Sequence, residues 1–496
     1  MMKLHKINTF FITGLLFLTG ISSSVLAQAI APYLQAPTEN SIWVSWVSYE
    51  PFSGDKVKFT LIEEVSKQHA VQNLNREQSV SKSIGAQKNT VEVITEKLAS
   101  GYYYKKAHLK GLNPNTNYEY RIFNKDDQLL SGSHRFKTPP RKTQSKGNIR
   151  FVLFGDHQAL HSYGEPYKLL LSAAEAKIKA KFQSEDYAGS TDPRYHISDY
   201  INLVINDGDQ VMQGGYIEQY RYHFNTSSAM AKSVPFMTTV GNHEGHADDD
   251  NLENYFTHYR YDQLGYTKQN NGTTSNELIK SNNEAYYSYQ IGQVLFIHLN
   301  STEWPQSHRG EGKEFEKQEE WLKNIVDDAA TNDNVKFIIS VRHHPSKAEN
   351  YWSDVSASLG GYSVGVDEED ERLAEKMAKL KAKIGENILD STPKHVLSIA
   401  GHHHLYARGQ SRGSNQDANN AHHHIISGGV GSGHDQSWDE GLLSKRGTWE
   451  HPDVQKTIAN WTWQLVDLDL EKNTMVVETY AEAHPEIYNR EGDQYQ

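Results

Sequence analysis

Ile149-Arg150-Phe151-Val152-Leu153-Phe154-Gly155-Asp156-His157-Gln158 is an apolar run that stops at a glycine and then turns polar. The same order recurs along the second half of the chain. Leu203-Val204-Ile205 leads through Asn206-Asp207 to Gly208-Asp209, and Phe236-Met237-Thr238-Thr239-Val240 leads to Gly241-Asn242-His243-Glu244. Residues 335–341 lead to Arg342-His343-His344-Pro345, and residues 395–400 to Gly401-His402-His403-His404. Short apolar runs bounded by glycine or proline are the mark of strands buried on both faces. Helical patterns at about residues 167–182, 311–330 and 368–383 fall between them, which predicts a layered α/β domain. Polar residues just past the carboxyl ends of such strands meet at one edge, where open α/β sheets place their sites.

The region before this is built differently. Ser41-Ile42-Trp43-Val44-Ser45-Trp46-Val47, Val57-Lys58-Phe59-Thr60-Leu61 and Tyr118-Glu119-Tyr120-Arg121-Ile122-Phe123 alternate with period two, with turn residues between them. That pattern predicts an antiparallel, all-β sandwich over residues 28–140. Thr138-Pro139-Pro140 and the polar tail after it predict a linker over 141–148, with the catalytic domain at 149–496. At the start, Lys3 and Lys6 precede an apolar run at 10–18 and the small-residue end Val25-Leu26-Ala27. This reads as an export signal over 1–27, cleaved after Ala27, with an uncleaved anchor as the rival reading. The run is short for a membrane span, so no stable transmembrane anchor is expected.

Composition narrows the function. The 496 residues carry 50 basic and 62 acidic side chains, a net charge of −12, so no nucleic-acid-binding surface is evident. There is no cysteine, which removes disulfides, thiolate ligands and cysteine nucleophiles, whereas histidine numbers 25. Carboxylate and amide oxygens together with imidazoles suit a pair of divalent ions such as Mn, Fe or Zn. Each fragment alone has a bland reading: Gly-Asp is commonly a turn, and Asn-His-Glu can be a helix cap. Their joint occurrence after five apolar runs favours a dinuclear site.

In this order the motifs resemble the calcineurin-like metallophosphoesterases. Gly155-Asp156, Gly208-Asp209 with Gly214, Gly241 to Glu244, His343-His344-Pro345 and Gly401-His402-His403-His404 follow the superfamily's sequence of motifs. The continuation Leu405-Tyr406-Ala407-Arg408 is similar to the purple acid phosphatase branch. Ala31-Pro32-Tyr33-Leu34-Gln35 and residues 109–116 resemble the fibronectin type III-like domain that precedes that enzyme. The resemblance implies a four-layer catalytic core, two sheets packed face to face with helices outside. It also implies two divalent metal ions. Asp156 and His404 would hold the first, Asp209 would bridge, and Asn242, His343 and His402 would hold the second. His243 would lie near the phosphoryl oxygen or leaving group.

Two positions depart from the branch. Purple acid phosphatases have a tyrosine three residues after the bridging aspartate, and Met212 stands there. Many superfamily members have Asp-x-His in the first motif, where Gln158 offers an amide oxygen, as in the Mn-dependent ADP-ribose/CDP-alcohol diphosphatases. Both favour Mn or Fe(II) over Zn, with Zn possible, and no purple colour. His157, Arg342 and Arg408 are candidate substrate-binding residues, each with a packing or carboxylate-pairing alternative. Residues 422–424, after Ala421, read as surface histidines, with one of them lining the pocket as the alternative; His434 has the same two readings, and 261–283 and 351–370 read as insertions.

The expected function is an exported phosphoric-ester hydrolase using metal-activated hydroxide, an acid-phosphatase-like phosphomonoesterase acting on a small phosphorylated substrate. A phosphodiesterase or nucleotide diphosphatase is the second reading, and a non-catalytic metal-binding or adhesive surface protein the remote one. Oligomeric state is not legible in the sequence.

Overall fold

The computed structural model describes residues 28–51, 53–62, 89–159, 164–186, 196–247, 252–270, 273–281, 283–302, 313–346, 368–411, 422–429, 454–458 and 461–482. The expected signal and the 351–367 part of the second insertion lie outside them, as do Ala421 and His434. Among the described residues no helix is long and apolar enough to cross a membrane.

Eight strands form the first unit: β1 (Gln28–Thr38), β2 (Ser41–Ser48), β3 (Lys56–Leu61), β4 (Asn89–Glu92), β5 (Ile94–Lys97), β6 (Tyr103–Lys110), β7 (Asn117–Phe123) and β8 (Leu129–Lys137). They make two antiparallel sheets, ordered β1-β2-β6-β5 and β4-β3-β7-β8. Alternation decides the packing. Ile42, Val44 and Trp46 of β2 point between the sheets with Val57, Phe59, Tyr120 and Phe136. Tyr33, Val47 and Tyr104 face the other way and join the core of the following domain. That junction is polar as well as apolar. Fully buried Gln35 donates to Ser45 Oγ (2.8 Å) and the His258 carbonyl (3.2 Å) and accepts from the Arg260 amide (3.0 Å). Tyr33 donates to the same His258 carbonyl at 2.7 Å. A buried amide satisfied in this way holds one docking geometry, because sliding would orphan it.

The second unit runs β9 (Asn148–Phe154), α1 (Gly164–Asp186), α2 (Ile197–Tyr200), β10 (Leu203–Asn206), α3 (Ile217–Ala231), β11 (Phe236–Thr238), α4 (Glu253–His258), β12 (Tyr266–Asn270), β13 (Thr273–Ile279), β14 (Tyr287–Ile291), β15 (Val294–His298), α5 (Lys313–Thr331), β16 (Phe337–Val341), α6 (Glu368–Leu389), β17 (His395–Ala400), β18 (Tyr406–Ser411), β19 (His422–Ser427), β20 (Val454–Ile458), β21 (Trp461–Asp469) and β22 (Thr474–Glu482). The helices expected at 167–182, 311–330 and 368–383 are α1, α5 and α6. Within the stretch expected as a first insertion, β12 and β13 pair as an antiparallel hairpin.

One sheet is ordered β11-β10-β9-β21-β22 and the other β14-β15-β16-β17-β19-β18-β20. β11, β10 and β9 are parallel, as are β15, β16, β17 and β19; the flanking strands are antiparallel. The sheets face each other, with Phe151 edge-on to Phe296 at 5.5 Å. Both faces of the central strands are covered, hence the unbroken apolar runs. On β15, Val294 and Phe296 point to the inter-sheet core, while Leu295 and Ile297 pack under Trp321, Leu322 and Ile325 of α5. With α1 and α3 against the first sheet and α5 and α6 against the second, the core has four layers.

Candidate dinuclear metal centre

Each parallel strand delivers its polar residues from a tight turn. Asp156, Gln158, Asp209 and His402 all adopt left-handed backbone, with φ of 53°, 41°, 51° and 71°. Non-glycine residues held there cost roughly 1–3 kcal/mol each, strain that clusters at functional sites. The glycines in these turns serve close approach. A Cβ on Gly208, whose φ is 115°, would collide with the His343 ring, and one on Gly241 with the Asp209 carboxylate.

The turns bring two ligand groups together, Asp209 with His343 and His402, and Asp156 with Asp209 and His404. Asp209 belongs to both. In the first group His343 Nδ1 donates to the Asp207 carbonyl at 3.0 Å, so its Nε2 presents a lone pair. That nitrogen lies 2.9 Å from Asn242 Oδ1, 3.2 Å from Asp209 Oδ1 and 3.3 Å from His402 Nδ1. Asn242 Oδ1 is 3.0 Å from His402 Nδ1. With Nε2 deprotonated these atoms are acceptors facing acceptors, and a metal ion among them takes the place of the proton. Atoms each ~2.1 Å from one ion sit about 3.0–3.4 Å apart, so the donor set fits a divalent metal.

In the second group His404 Nε2 is 3.8 Å from Asp156 Oδ1. The Gln158 amide lies 3.3 Å from His404 Nε2 and 3.4 Å from Asp209 Oδ2, so it belongs to this cluster. Its nitrogen faces both groups, and a half-turn about the last side-chain bond would present the oxygen to an ion instead. Both oxygens of Asp156 accept from the His402 amide at 2.9 Å.

The electrostatics agree. Burial raises Asp156 well above the usual carboxylate range, and Asp209 and Asp207 raise it further. Burial, with Asp209 adding to it, takes Asp207 to about 8 against the opposing pull of His343. Burial opposes charge on His343, yet the Asp209 carboxylate carries it up to about 10. Asp209, in spite of burial, is held well below its ordinary value by His343 and His243. Carboxyl groups crowded in a dry site require cations for company.

Glu244 was quoted in the sequence only as part of a motif, and the structure gives it a task. Its fully buried carboxylate accepts from the amides of Asp209 (3.0 Å), Gln210 (2.8 Å) and Gly241 (2.6 Å). It therefore fixes the turn of Asp209 to that of Asn242. Its three donors come from two motifs, Asp209 and Gln210 on one turn and Gly241 on the other, and that meeting is invisible before folding.

His243 sits at the rim, its side chain 20% exposed, with Nε2 3.8 Å from Asp209 Oδ2. Nδ1 donates to the Met212 carbonyl at 2.7 Å, and burial lowers the imidazole to about 4. Among the three histidines of 402–404, His402 and His404 face the clusters and His403 is buried.

Two of the three candidate substrate-binding residues take their packing or carboxylate-pairing alternative. His157 does not face substrate: it is fully buried, stacked 3.8 Å from the Tyr167 ring and bonded to His223 at 2.7 Å. Arg342 does not reach a phosphate; its buried guanidinium is ion-paired with Glu386, because the strand turns it toward α6. Arg408 is exposed on β18. The surface reading of 422–424 holds only for His423, since His422 and His424 are buried by strand alternation.

The calcineurin-like phosphoesterase family model matches residues 149–406, just over half of the chain. This chain belongs to the calcineurin-like phosphoesterases. The model for the purple acid phosphatase N-terminal domain matches residues 28–138. The protein is thus a metal-dependent phosphoesterase of a dinuclear-metal family. Solved structures share its fold. A purple acid phosphatase, PPD1, from yellow lupin (Lupinus luteus) seeds is 16% identical, covers 93% of this chain and 76% of its own, and has a TM-score of 0.50. PhoD is 13% identical, covers 93% and 92%, and has a TM-score of 0.53. No curated protein matches the chain by sequence.

Proposed function

We propose that this phosphoesterase is an exported phosphomonoesterase, working on a small phosphorylated substrate at the crevice where the two ligand groups share Asp209. That sharing is the observation that carries the reading, because one carboxylate between two donor sets suits a pair of ions. Asp156, Gln158 and His404 would hold one ion, Asn242, His343 and His402 the other, with Asp209 bridging. Such a pair supplies neutralisation of phosphoryl oxygens and a lowered pKa for a coordinated water. Mn or Fe(II) is favoured over Zn, because Gln158 offers a neutral oxygen and Met212 is no ligand for a hard ion. Exported location rests on the basic-apolar-small pattern of residues 1–27.

The chain's own residues divide the remaining work. Glu244 keeps the Asp209 and Asn242 turns in register. The Met212 carbonyl orients His243, so Nε2 is the atom that exchanges a proton with the departing oxygen. Because Nδ1–H is committed to Met212, donation from Nε2 needs the imidazolium, which places this role in acid solution.

A mono- and a bis-ester of one chromogenic phenol, compared in protein freed of metal and reloaded with Mn, test the reading. Faster hydrolysis of the monoester is expected, and preference for the bis-ester would replace it with the phosphodiesterase reading. His243→Ala should keep both ions and lose most rate on esters of weakly acidic alcohols. An equal loss across leaving groups would remove the proton role.

A further inference from the structure

Outside the crevice, a second group of ligand-type side chains lies between the outer face of the seven-stranded sheet and α6: Glu386, Asp390, His395 and His422. Nothing in the phosphoesterase reading uses it. We infer that these four side chains form a separate site for a single divalent transition-metal ion, of zinc-like preference, that pins the end of α6 to β17 and β19.

Beneath α5 the same sheet face is apolar, with Leu295, Ile297 and Ile338 against Trp321 and Ile325. Beneath α6 the face carries Ser340, Ser398, His395 and His422, and α6 answers with Glu386. Asp390 stands one residue past the helix and four beyond Glu386, on the same side. Replacing an apolar contact with buried charge is costly unless each group is held by partners.

Two of the four, Glu386 and His395, have one atom held from outside the group and another turned inward. Glu386 Oε2 is tied to Arg342 and accepts from Ser398 Oγ at 3.2 Å, while Oε1, against His422, has no aligned hydrogen bond. His395 Nε2 is 2.9 Å from Ser340 Oγ, and its Nδ1 is 3.1 Å from Asp390 Oδ1. The His422 ring is 1% exposed and touches both carboxylates, lying 3.0 Å from Asp390 Oδ1. Neither of its nitrogens makes an aligned hydrogen bond in those contacts. The His422 nitrogens and Glu386 Oε1 crowd their neighbours without hydrogen-bond alignment, as ligand atoms around an ion do. Ser340 behind His395, and Arg342 and Ser398 behind Glu386, are outer partners of the kind that orient metal ligands. Two imidazoles and two carboxylates within 4.8 Å of one another match a closed, four-coordinate zinc-type site.

Charge leaves one competitor. With neutral imidazoles, Glu386, Asp390 and Arg342 sum to one negative charge, which either a metal ion or a proton on His422 could answer. Full-length protein purified without a metal-affinity tag, stripped with chelator, reloaded with Zn2+ and dialysed exhaustively separates them. His422→Ala and Asp390→Asn should each bind one zinc equivalent fewer than wild type, whatever number the crevice holds, and lose zinc-dependent protection against thermal unfolding at this site. Asp390 is partly exposed, so its variant keeps the test alive if His422→Ala does not fold. Crystals of the zinc-loaded wild type need no variant at all. An anomalous peak at the zinc edge centred among the four side chains supports the site. Equal stoichiometry in wild type and variants, or anomalous peaks confined to the crevice, would overturn it in favour of a protonated histidine.

Discussion

The two histidine–carboxylate groups of the catalytic domain use the same residue types and differ in almost everything else. The crevice group hangs from turns beyond the strand ends, four of its residues on left-handed backbone, with His243 and His404 side chains about one-fifth exposed. The group beneath α6 stands on or beside a regular helix and regular strands, with Glu386 and His422 nearly without exposure. Open positions on strained turns leave room for a substrate and a water. A closed set on rigid elements leaves none, which is the difference between a catalytic and a structural ligand set. The lesson is that counting histidines and carboxylates does not locate chemistry; exposure and backbone do.

The sharpest way to break the comparison is to neutralise the shared carboxylate. Asp209→Asn should lower hydrolysis on the order of 10³-fold or more while leaving the fold intact by circular dichroism. Near-normal turnover with two bound ions would remove Asp209 from its bridging role. Next in size is Arg342→Met, which leaves buried Glu386 without its guanidinium partner. It should cost about 3 kcal/mol in denaturant unfolding while KM, measured where the variant is folded, stays unchanged. A raised KM with normal stability would return Arg342 to the substrate.

Glu244→Gln lies between the extremes. The amide turns an NH2 toward backbone donors that need an acceptor, so metal affinity or turnover should fall between about 10- and 100-fold, read by metal titration. Restoration by Glu244→Asp is not expected, because the shorter side chain cannot span both turns. The smallest effect belongs to Arg408→Ala. An exposed side chain on β18 should change stability by less than about 0.5 kcal/mol and leave KM alone. A large rise in KM would bring that strand into the crevice.

Much of this was legible without a fold. Apolar runs, glycine turns and the order of Asp156, Asp209, Asn242, His343 and His402 come from local chemistry, because strands buried on both faces must be apolar and turns of left-handed backbone must be small or polar. The sandwich was readable for the same reason, from alternation in β2, β3 and β7. Direction was not readable. Whether Arg342 looks toward a phosphate or toward Glu386, whether His157 meets substrate or Tyr167, and which of residues 422–424 is buried all depend on which layer covers a given sheet face. The task of Glu244 and the grouping of Glu386 with His422 required segments more than thirty residues apart to meet. Sequence by itself determined the strand-end motifs and, through the resemblance they carry, which residues to propose as ligands, because each motif is declared by its own neighbours; tertiary structure decided what the side chains face, because a side chain's surroundings come from the other layer.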